Sequence, residues 1–168
     1  MRNDLDHLPA DKQRELARVV QIIFEEFEDG LALATQAWRK KGRIQKIILY
    51  GSYARGGWVD EPHTAKGYKS DYDLLIIVND QRLTDRVKYW LGVDERLMRE
   101  YGITATLKTP VNFIVHTLQE VNDGLAHGRY FHGRGEGWHR ALRERRQGTA
   151  HTKAQDAGQG AGHGAGIF

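Results

Sequence analysis

The segment GSYARGGWVDEPHTAKGYKSDYDLLIIV, residues Gly51 to Val78, begins where one apolar run ends and contains a second one. The first run, IQKIILY (Ile44 to Tyr50), ends at this glycine, and the second, YDLLIIV (Tyr72 to Val78), ends at Asn79 and Asp80. Short β-branched runs bounded by turn residues are typical of strands. Their nearly continuous apolar character predicts two central strands covered on both faces.

A long amphipathic helix is predicted before the first strand, from Asp11 to about Lys40. Pro9 and Asp11 suit its first turn, and Gly42 is expected to mark its end. The apolar residues at helical spacing are Leu16, Val19, Val20, Ile23, Phe24, Phe27 and Leu31.

The sequence after the second strand predicts two helices and a third strand. Residues 84–100 have helical spacing, although Gly92 weakens that prediction, and VNFIVH (Val111 to His116) reads as a third strand after Pro110. Thr117 and Glu120 form a T-x-x-E capping box that opens a short helix. The order of elements predicts an α/β (α+β) domain with a small mixed sheet flanked by helices.

Asp71 and Asp73 are separated by one residue at the start of the second strand, so their side chains are expected on the same face. Two neighbouring carboxylates repel, and a shared proton or a divalent cation relieves the repulsion. Magnesium is the natural cation, because it takes oxygen ligands and is often held by one or two carboxylates plus substrate phosphates. Gly51 and Ser52 could seat those phosphates, through close backbone approach and hydrogen-bond donors.

The combination of Gly-Ser after one strand and Asp-x-Asp at the next resembles the core of the polymerase-β-like nucleotidyltransferase superfamily. The longer strings KIILYGSYARG, GYKSDYDLLIIV and VNDGLAHGRYF resemble small bacterial members in which the domain is followed by a helical HEPN domain. The resemblance covers roughly residues 5–131. It implies Mg²⁺-dependent transfer of a nucleoside monophosphate, most simply AMP from ATP, to a hydroxyl group, with Asp71 and Asp73 binding the metal.

Members of that superfamily commonly carry a third carboxylate on the following strand, where it completes the metal site or activates the attacking hydroxyl. Asn112 occupies the matching place here. Asparagine can ligate a metal through its carbonyl oxygen but cannot act as a base at neutral pH. Activation by metal alone, a base from another acid, or slow turnover all remain open. The Ser52-to-Asp71 spacing is also longer than in the ordinary motif.

Cations and aromatic residues border this segment. Arg55 is a candidate phosphate ligand, and Lys66 and Lys69 could also balance triphosphate charge or could be ordinary solvated cations. His116 is interpreted as structural. Three aromatic residues could stack on a base or pack in the protein: Tyr53, Trp58 and Tyr68.

Composition indicates a globular chain with a different C-terminal segment. The chain has 168 residues, 40% of them hydrophobic, and no cysteine. No apolar run is long enough for a membrane span and no secretory signal is visible, so a cytoplasmic location is expected. The net charge of +3 is carried by residues 132–168, which hold six Lys or Arg and three acidic residues. Nucleic-acid binding by residues 1–131 is therefore not expected.

Residues 1–131 are interpreted as the nucleotidyltransferase domain and residues 132–168 as a Gly/Arg/His-rich, disordered tail. This tail contains nine of the nineteen glycines and few large aliphatic residues. The codons that could encode residues 131–168 can also be read one base later. That reading frame permits an amino-acid string that resembles the family's continuation into a HEPN domain. A frameshift near Phe131 is one interpretation, and a genuine tail that contacts RNA or anionic surfaces is the other.

Two classes of function follow. The first is nucleotidyl transfer to a protein, for instance a tyrosine of a HEPN toxin, or to a small molecule such as an aminoglycoside, both implied by the resemblance. The second is a catalytically weak, nucleotide-binding antitoxin or regulatory module for a HEPN ribonuclease, favoured by Asn112. An inactive truncated product is a third possibility.

Overall fold

A computed structural model describes residues 5–61 and 69–127. The predicted α+β class is confirmed: a three-stranded sheet is flanked by helices, with a long helix at the N-terminal side. The tail predicted at 132–168 lies outside the described residues. The elements in chain order are α1 (Ala10–Leu31), α2 (Ala37–Lys40), β1 (Ile44–Tyr50), α3 (Gly51–Arg55), β2 (Tyr72–Val78), a 3-10 turn (Gln81–Thr84), α4 (Arg86–Tyr89), α5 (Leu91–Gly102), β3 (Val111–Thr117) and α6 (Leu118–His127).

The sheet is mixed, with β2 between its two neighbours. β1 pairs antiparallel with β2, and β3 pairs parallel with it. Both faces of β2 are buried, as its apolar sequence predicted. The matching prediction for β1 was wrong: in the described part of the chain β1 pairs with β2 alone and alternates between buried and partly exposed residues. Its polar residues Gln45 and Lys46 fit that edge position.

The main core fills the space between the sheet and helices α1 and α5. Trp90 is fully buried there, stacks on Phe27 with ring centroids 5.0 Å apart, and donates from Nε1 to the Leu83 carbonyl at 2.7 Å. Burying an aromatic of this size stabilises by about 3 kcal/mol or more, judged by truncation to alanine. The fold therefore depends strongly on the packing of Trp90, at the junction of α4 and α5, against Phe27 of α1.

A smaller core covers the opposite face of the sheet, where Val121 of α6 packs with Leu75 and Ile77. The predicted capping box opens this helix. The Thr117 amide donates to Glu120 Oε2 at 2.8 Å, and the Glu120 amide donates to Thr117 Oγ1 at 3.2 Å. Two backbone donors at the start of α6 are thereby satisfied by side chains.

Helix α1 ends at Leu31, nine residues before the predicted end at Lys40. Its apolar periodicity also stops at Leu31, and Leu33 beyond it is 93% exposed. The next turn has no large apolar residue at the spacing that would face the core, so burial does not hold it there. Gly42 therefore follows the separate short helix α2 rather than α1.

The helix predicted at 84–100 is divided in two. Asp85 accepts a hydrogen bond from the Lys88 amide and begins α4, while Trp90 leaves helical geometry before α5 begins. Val87, on α4, is 78% exposed. Within the described ranges, no helix is long and apolar enough to cross a membrane.

Candidate active site

Strand pairing brings the predicted site residues together at one end of the sheet. Tyr50, the last residue of β1, lies opposite Asp73 on β2, and Asp73 lies beside Asn112 on β3. Asn112 Nδ2 donates to Asp71 Oδ2 at 2.8 Å. Asp71, Asp73 and Asn112 thus form one cluster, with Asn112 where the sequence motif placed it relative to the two aspartates.

Gly51 is fixed by its contact with Asp73. Its φ is +75°, in the left-handed region that favours glycine, and a Cβ at this position would overlap Asp73 Oδ2. The carboxylate therefore occupies the space that any other residue's side chain would fill. This overlap explains why residue 51 is glycine, in addition to the close approach of a phosphate that the sequence predicts.

Ser52 and Arg55 lie on α3, which follows Gly51 directly. Ser52 is half-buried, and its carbonyl accepts from the amides of Gly56 and Gly57, which closes the short helix. Arg55 is exposed in the last turn. Ser52 is therefore adjacent to the aspartate cluster, whereas Arg55 lies one turn further along the chain.

The ends of the long loop between α3 and β2 are joined to each other. The Val59 amide donates to Ser70 Oγ at 2.9 Å, and the Ser70 amide donates to the Val59 carbonyl at 2.8 Å. Lys69 Nζ contacts the Lys108 carbonyl at 3.3 Å. Lys66, interpreted as either a charge-balancing or a solvated cation, and Tyr68, interpreted as either a stacking or a packing residue, lie outside the described residues.

The aromatic residues beside this loop pack within the protein. Tyr53 is 1% exposed and lies between Trp58, stacked at 5.3 Å, and Tyr72, at 4.5 Å. Tyr53 has no free surface on which a nucleotide base could stack, so that alternative was wrong and the packing interpretation holds for this residue. Half-buried Trp58 packs against the same core. His116 lies 3.4 Å from Glu120 Oε2, as part of the α6 start.

Lys12 is a buried charge that sequence reasoning missed. Its Nζ donates to Thr109 Oγ1 at 2.9 Å and lies 3.4 Å from Asp60 Oδ2, so it connects α1, the loop and the segment before β3. Burial alone would lower the pKa of Lys12, but the neighbouring Tyr53, Glu15 and Asp60 outweigh it and raise the pKa. Asp60 and Thr109 lie 48 and 97 residues from Lys12 along the chain, so no local sequence pattern indicates these contacts.

Tyr50 is the second residue that the sequence did not identify. Burial, followed by the charge of Asp73, raises the pKa of Tyr50 to about 12. The phenol is therefore neutral at physiological pH and cannot serve as a base there. Only an explicit prediction of the antiparallel register would have placed Tyr50 opposite Asp73.

The donor set of the cluster is two carboxylates and one amide. Across residues 5–61 and 69–127, no group of three or more acidic or histidine side chains could hold a metal ion. The oxygens of Asp71 and Asp73, with the amide oxygen of Asn112, nevertheless match the hard oxygen ligands that Mg²⁺ takes. Magnesium commonly keeps several waters and binds substrate phosphates, so two protein carboxylates suffice.

Comparison with known proteins gives one partial match. A 63-residue segment, 38% of this chain, is 36% identical to a protein of Methanocaldococcus jannaschii named as a putative protein adenylyltransferase. The chain spans about half the length of that relative. No protein-family profile matches the chain, and no solved structure matches it significantly.

We expect Gly51→Ala to destabilise the protein by about 1 to 3 kcal/mol, because it combines an unfavourable φ with overlap of Asp73. Gly56→Ala is the matched control: its φ is +76°, but a Cβ there meets nothing within 4 Å. Urea unfolding of both variants measures the difference. Equal losses at the two glycines would contradict the account of Gly51 and Asp73.

We also expect Tyr50 to make stability fall at high pH. Its pKa is about 12 in the folded chain against an ordinary value of 10.0, so the unfolded state loses the phenol proton first. The stabilisation present below pH 10.0 is then lost as pH rises toward about 12. Unfolding free energies of wild type and Tyr50→Phe, compared from pH 8 upward, should converge or cross above pH 10. Parallel pH curves would contradict a raised pKa.

Proposed function

We propose that this chain is a magnesium-dependent nucleotidyltransferase that transfers AMP from ATP to a hydroxyl group of a protein or small-molecule acceptor. The observation that carries the proposal is the cluster at the sheet end: Asp73 against Gly51, and Asp71 hydrogen-bonded to Asn112. The partial match to a protein named as an adenylyltransferase supports nucleotidyl transfer in general.

Asp71 and Asp73 would hold the metal. When bound, Mg²⁺ supplies positive charge that neutralises phosphate oxygens and stabilises the charge developing during transfer. The two carboxylates project from the same face of the sheet, since one residue separates them along the chain. Repulsion between the two carboxylates would favour the binding of a cation by this pair.

Gly51 and Ser52 would seat the triphosphate beside those carboxylates. The backbone amides and Ser52 hydroxyl of this turn can donate to phosphate oxygens, and Arg55 at the exposed end of α3 can balance the remaining charge. In the transfer, an acceptor oxygen bonds to the α-phosphorus while the bond to the β-phosphate oxygen breaks and pyrophosphate leaves.

The proton of the acceptor hydroxyl has no recipient within the cluster. Asn112 is an amide whose Nδ2 donates to Asp71, and neutral Tyr50 is itself protonated at physiological pH. Asp71 and Asp73 would be committed to the metal. The proton would therefore be lost to solvent, which implies slow turnover compared with a site that has its own base.

A second candidate is favoured by the same hydrogen bond. The Asn112 amide donates a hydrogen bond to one oxygen of Asp71 and adds no charge to the site. The site could therefore bind a metal–nucleotide complex and transfer the nucleotide poorly. In this role the domain would be a nucleotide-binding regulatory or antitoxin module for a HEPN ribonuclease. The two candidates differ in whether bound nucleotide is transferred.

The test incubates the purified chain with magnesium, candidate acceptors and each of ATP, GTP, CTP and UTP carrying an α-phosphate label. We expect label transfer from ATP, reduced at least about a hundredfold in Asp71→Asn and in Asp73→Asn, because each removes a metal ligand. A HEPN-domain protein and an aminoglycoside represent the two classes of acceptor.

Asp29→Asn is the matched control, since Asp29 is an exposed aspartate on α1 and lies outside the cluster. It should transfer like the wild type. Wild-type transfer no greater than that of Asp73→Asn would overturn the enzymatic proposal. Magnesium-dependent nucleotide binding in that case would support the regulatory module.

A further inference from the structure

The charge of Lys12 is buried on the main-core side of the sheet. Its side chain is 8% exposed, and its Nζ lies 5.7 Å from the ring centroids of both Tyr53 and Trp58. Burying an ammonium group is costly unless hydrogen bonds or an opposite charge compensate for the lost water. The side chains that contact this nitrogen are therefore expected to be held in place by it.

Those side chains belong to two different segments of the chain. Thr109 Oγ1 accepts from Lys12 Nζ at 2.9 Å, and Thr109 is 1% exposed. Asp60 Oδ2 lies 3.4 Å from the same nitrogen. Asp60 belongs to the loop before β2, and Thr109 belongs to the segment before β3. Because β2 and β3 are parallel, one ammonium group joins the two segments that enter the sheet at the same end.

The loop that Lys12 holds leads to Asp71. Asp60 follows Val59, and Val59 and Ser70 share two hydrogen bonds, at 2.8 and 2.9 Å, which join the two ends of the loop. Asp71 follows Ser70 directly and precedes the pairing of β2 with β3, which begins one residue later. The position of Asp71 therefore depends on the segment before β2 as well as on the sheet.

The other segment leads to Asn112. Thr109 precedes Asn112 by three residues, and Asn112 Nδ2 donates to Asp71 Oδ2 at 2.8 Å. Glu15 of α1 also holds this segment, since its Oε2 accepts from the Lys108 amide at 2.9 Å. The hydrogen bond between Asn112 and Asp71 thus joins two segments that are both attached to α1.

We propose that Lys12 is a positioning residue for the nucleotide site: by holding both segments, its ammonium group sets the distance between Asp71 and Asn112. Lys12 lies on the opposite face of the sheet from that pair. It therefore acts through the backbone of the two segments and contacts neither metal nor nucleotide. The role in nucleotidyl transfer rests on the proposed function, whereas the effect on the hydrogen bond between Asn112 and Asp71 does not.

A second ion pair of α1 separates positioning from stability alone. Arg18 donates to Glu100 at 2.6 Å, and this pair also joins α1 to a distant part of the chain. It lies between α1 and α5, away from the loop before β2. Loss of either charge should lower the thermal stability, but only loss of the Lys12 contacts should alter the site.

The first test follows the side-chain amide protons of Asn112 by nuclear magnetic resonance in the full chain. Their signals are assigned by their absence in Asn112→Asp. In Lys12→Met they should move toward the position of a solvent-exposed asparagine amide, because the hydrogen bond to Asp71 weakens as its geometry is lost. In Arg18→Met they should stay at the wild-type position.

Thr109 supplies a matched pair of variants that leave Lys12 in place. Thr109→Val keeps the shape of the side chain and removes the hydroxyl group, so it should move the Asn112 signals as Lys12→Met does. Thr109→Ser keeps the hydroxyl group and should retain the wild-type signals. If thermal unfolding shows that Lys12→Met does not fold, this pair decides the question.

The second test measures transfer of label from ATP by the same variants. Lys12→Met and Thr109→Val should lower kcat/KM at least about tenfold, because a small displacement of a metal ligand misplaces the reacting groups. Arg18→Met and Thr109→Ser should transfer label like the wild type.

Unchanged Asn112 signals in both Lys12→Met and Thr109→Val would overturn the proposal, and so would transfer at the wild-type rate by both. An equal effect of Arg18→Met on signals and transfer would also overturn it, since the role of Lys12 would then be stability alone. A wild-type chain that transfers no label would instead refute the proposed function, and the Asn112 signals would still test the positioning by Lys12.

Discussion

The candidate site depends on the antiparallel pairing of β1 and β2, which sets Tyr50 opposite Asp73. That register places the next residue, Gly51, directly against the Asp73 carboxylate, where a Cβ cannot fit. A register shift by one residue would move Asp73 to the other face of the sheet, which is filled by the core. The pairing therefore determines at once which glycine, which carboxylate and which face form the site.

The parallel pairing of β3 completes the arrangement. It sets Asn112 beside Asp73, and the Asn112 amide then reaches Asp71. The main core lies on the opposite face of the sheet from Asp73, so the polar cluster need not be buried with it. Lys12 connects α1 to Asp60 and Thr109, and thereby ties the long loop and the entry to β3 to the same framework. The cluster of Asp71, Asp73 and Asn112 is thus separated by the sheet from the main core and from the contacts of Lys12.

Much of this could be read from local sequence patterns, because those patterns reflect burial of consecutive residues. The apolar runs gave the bounds of β1 and β2 as the structure has them, and β3 extends one residue beyond its prediction. The capping box at Thr117 was visible because its two partners are three residues apart. The end of α1 was overestimated because charged and small residues after Leu31 continue a helix-compatible composition without an apolar face. The edge position of β1, the role of Tyr50 and the contacts of Lys12 all depend on distant residues, so no short window contained them.

The central claim is that Asp71 and Asp73, with Gly51 and Ser52, form one site for a magnesium-bound nucleotide. Calorimetric titration of a non-hydrolysable ATP analogue, with and without magnesium, tests it most directly. The account predicts binding that requires magnesium and weakens at least about tenfold in Asp73→Asn, as expected when a charged metal ligand is lost. Equal affinity with and without magnesium, or in wild type and Asp73→Asn, would contradict it.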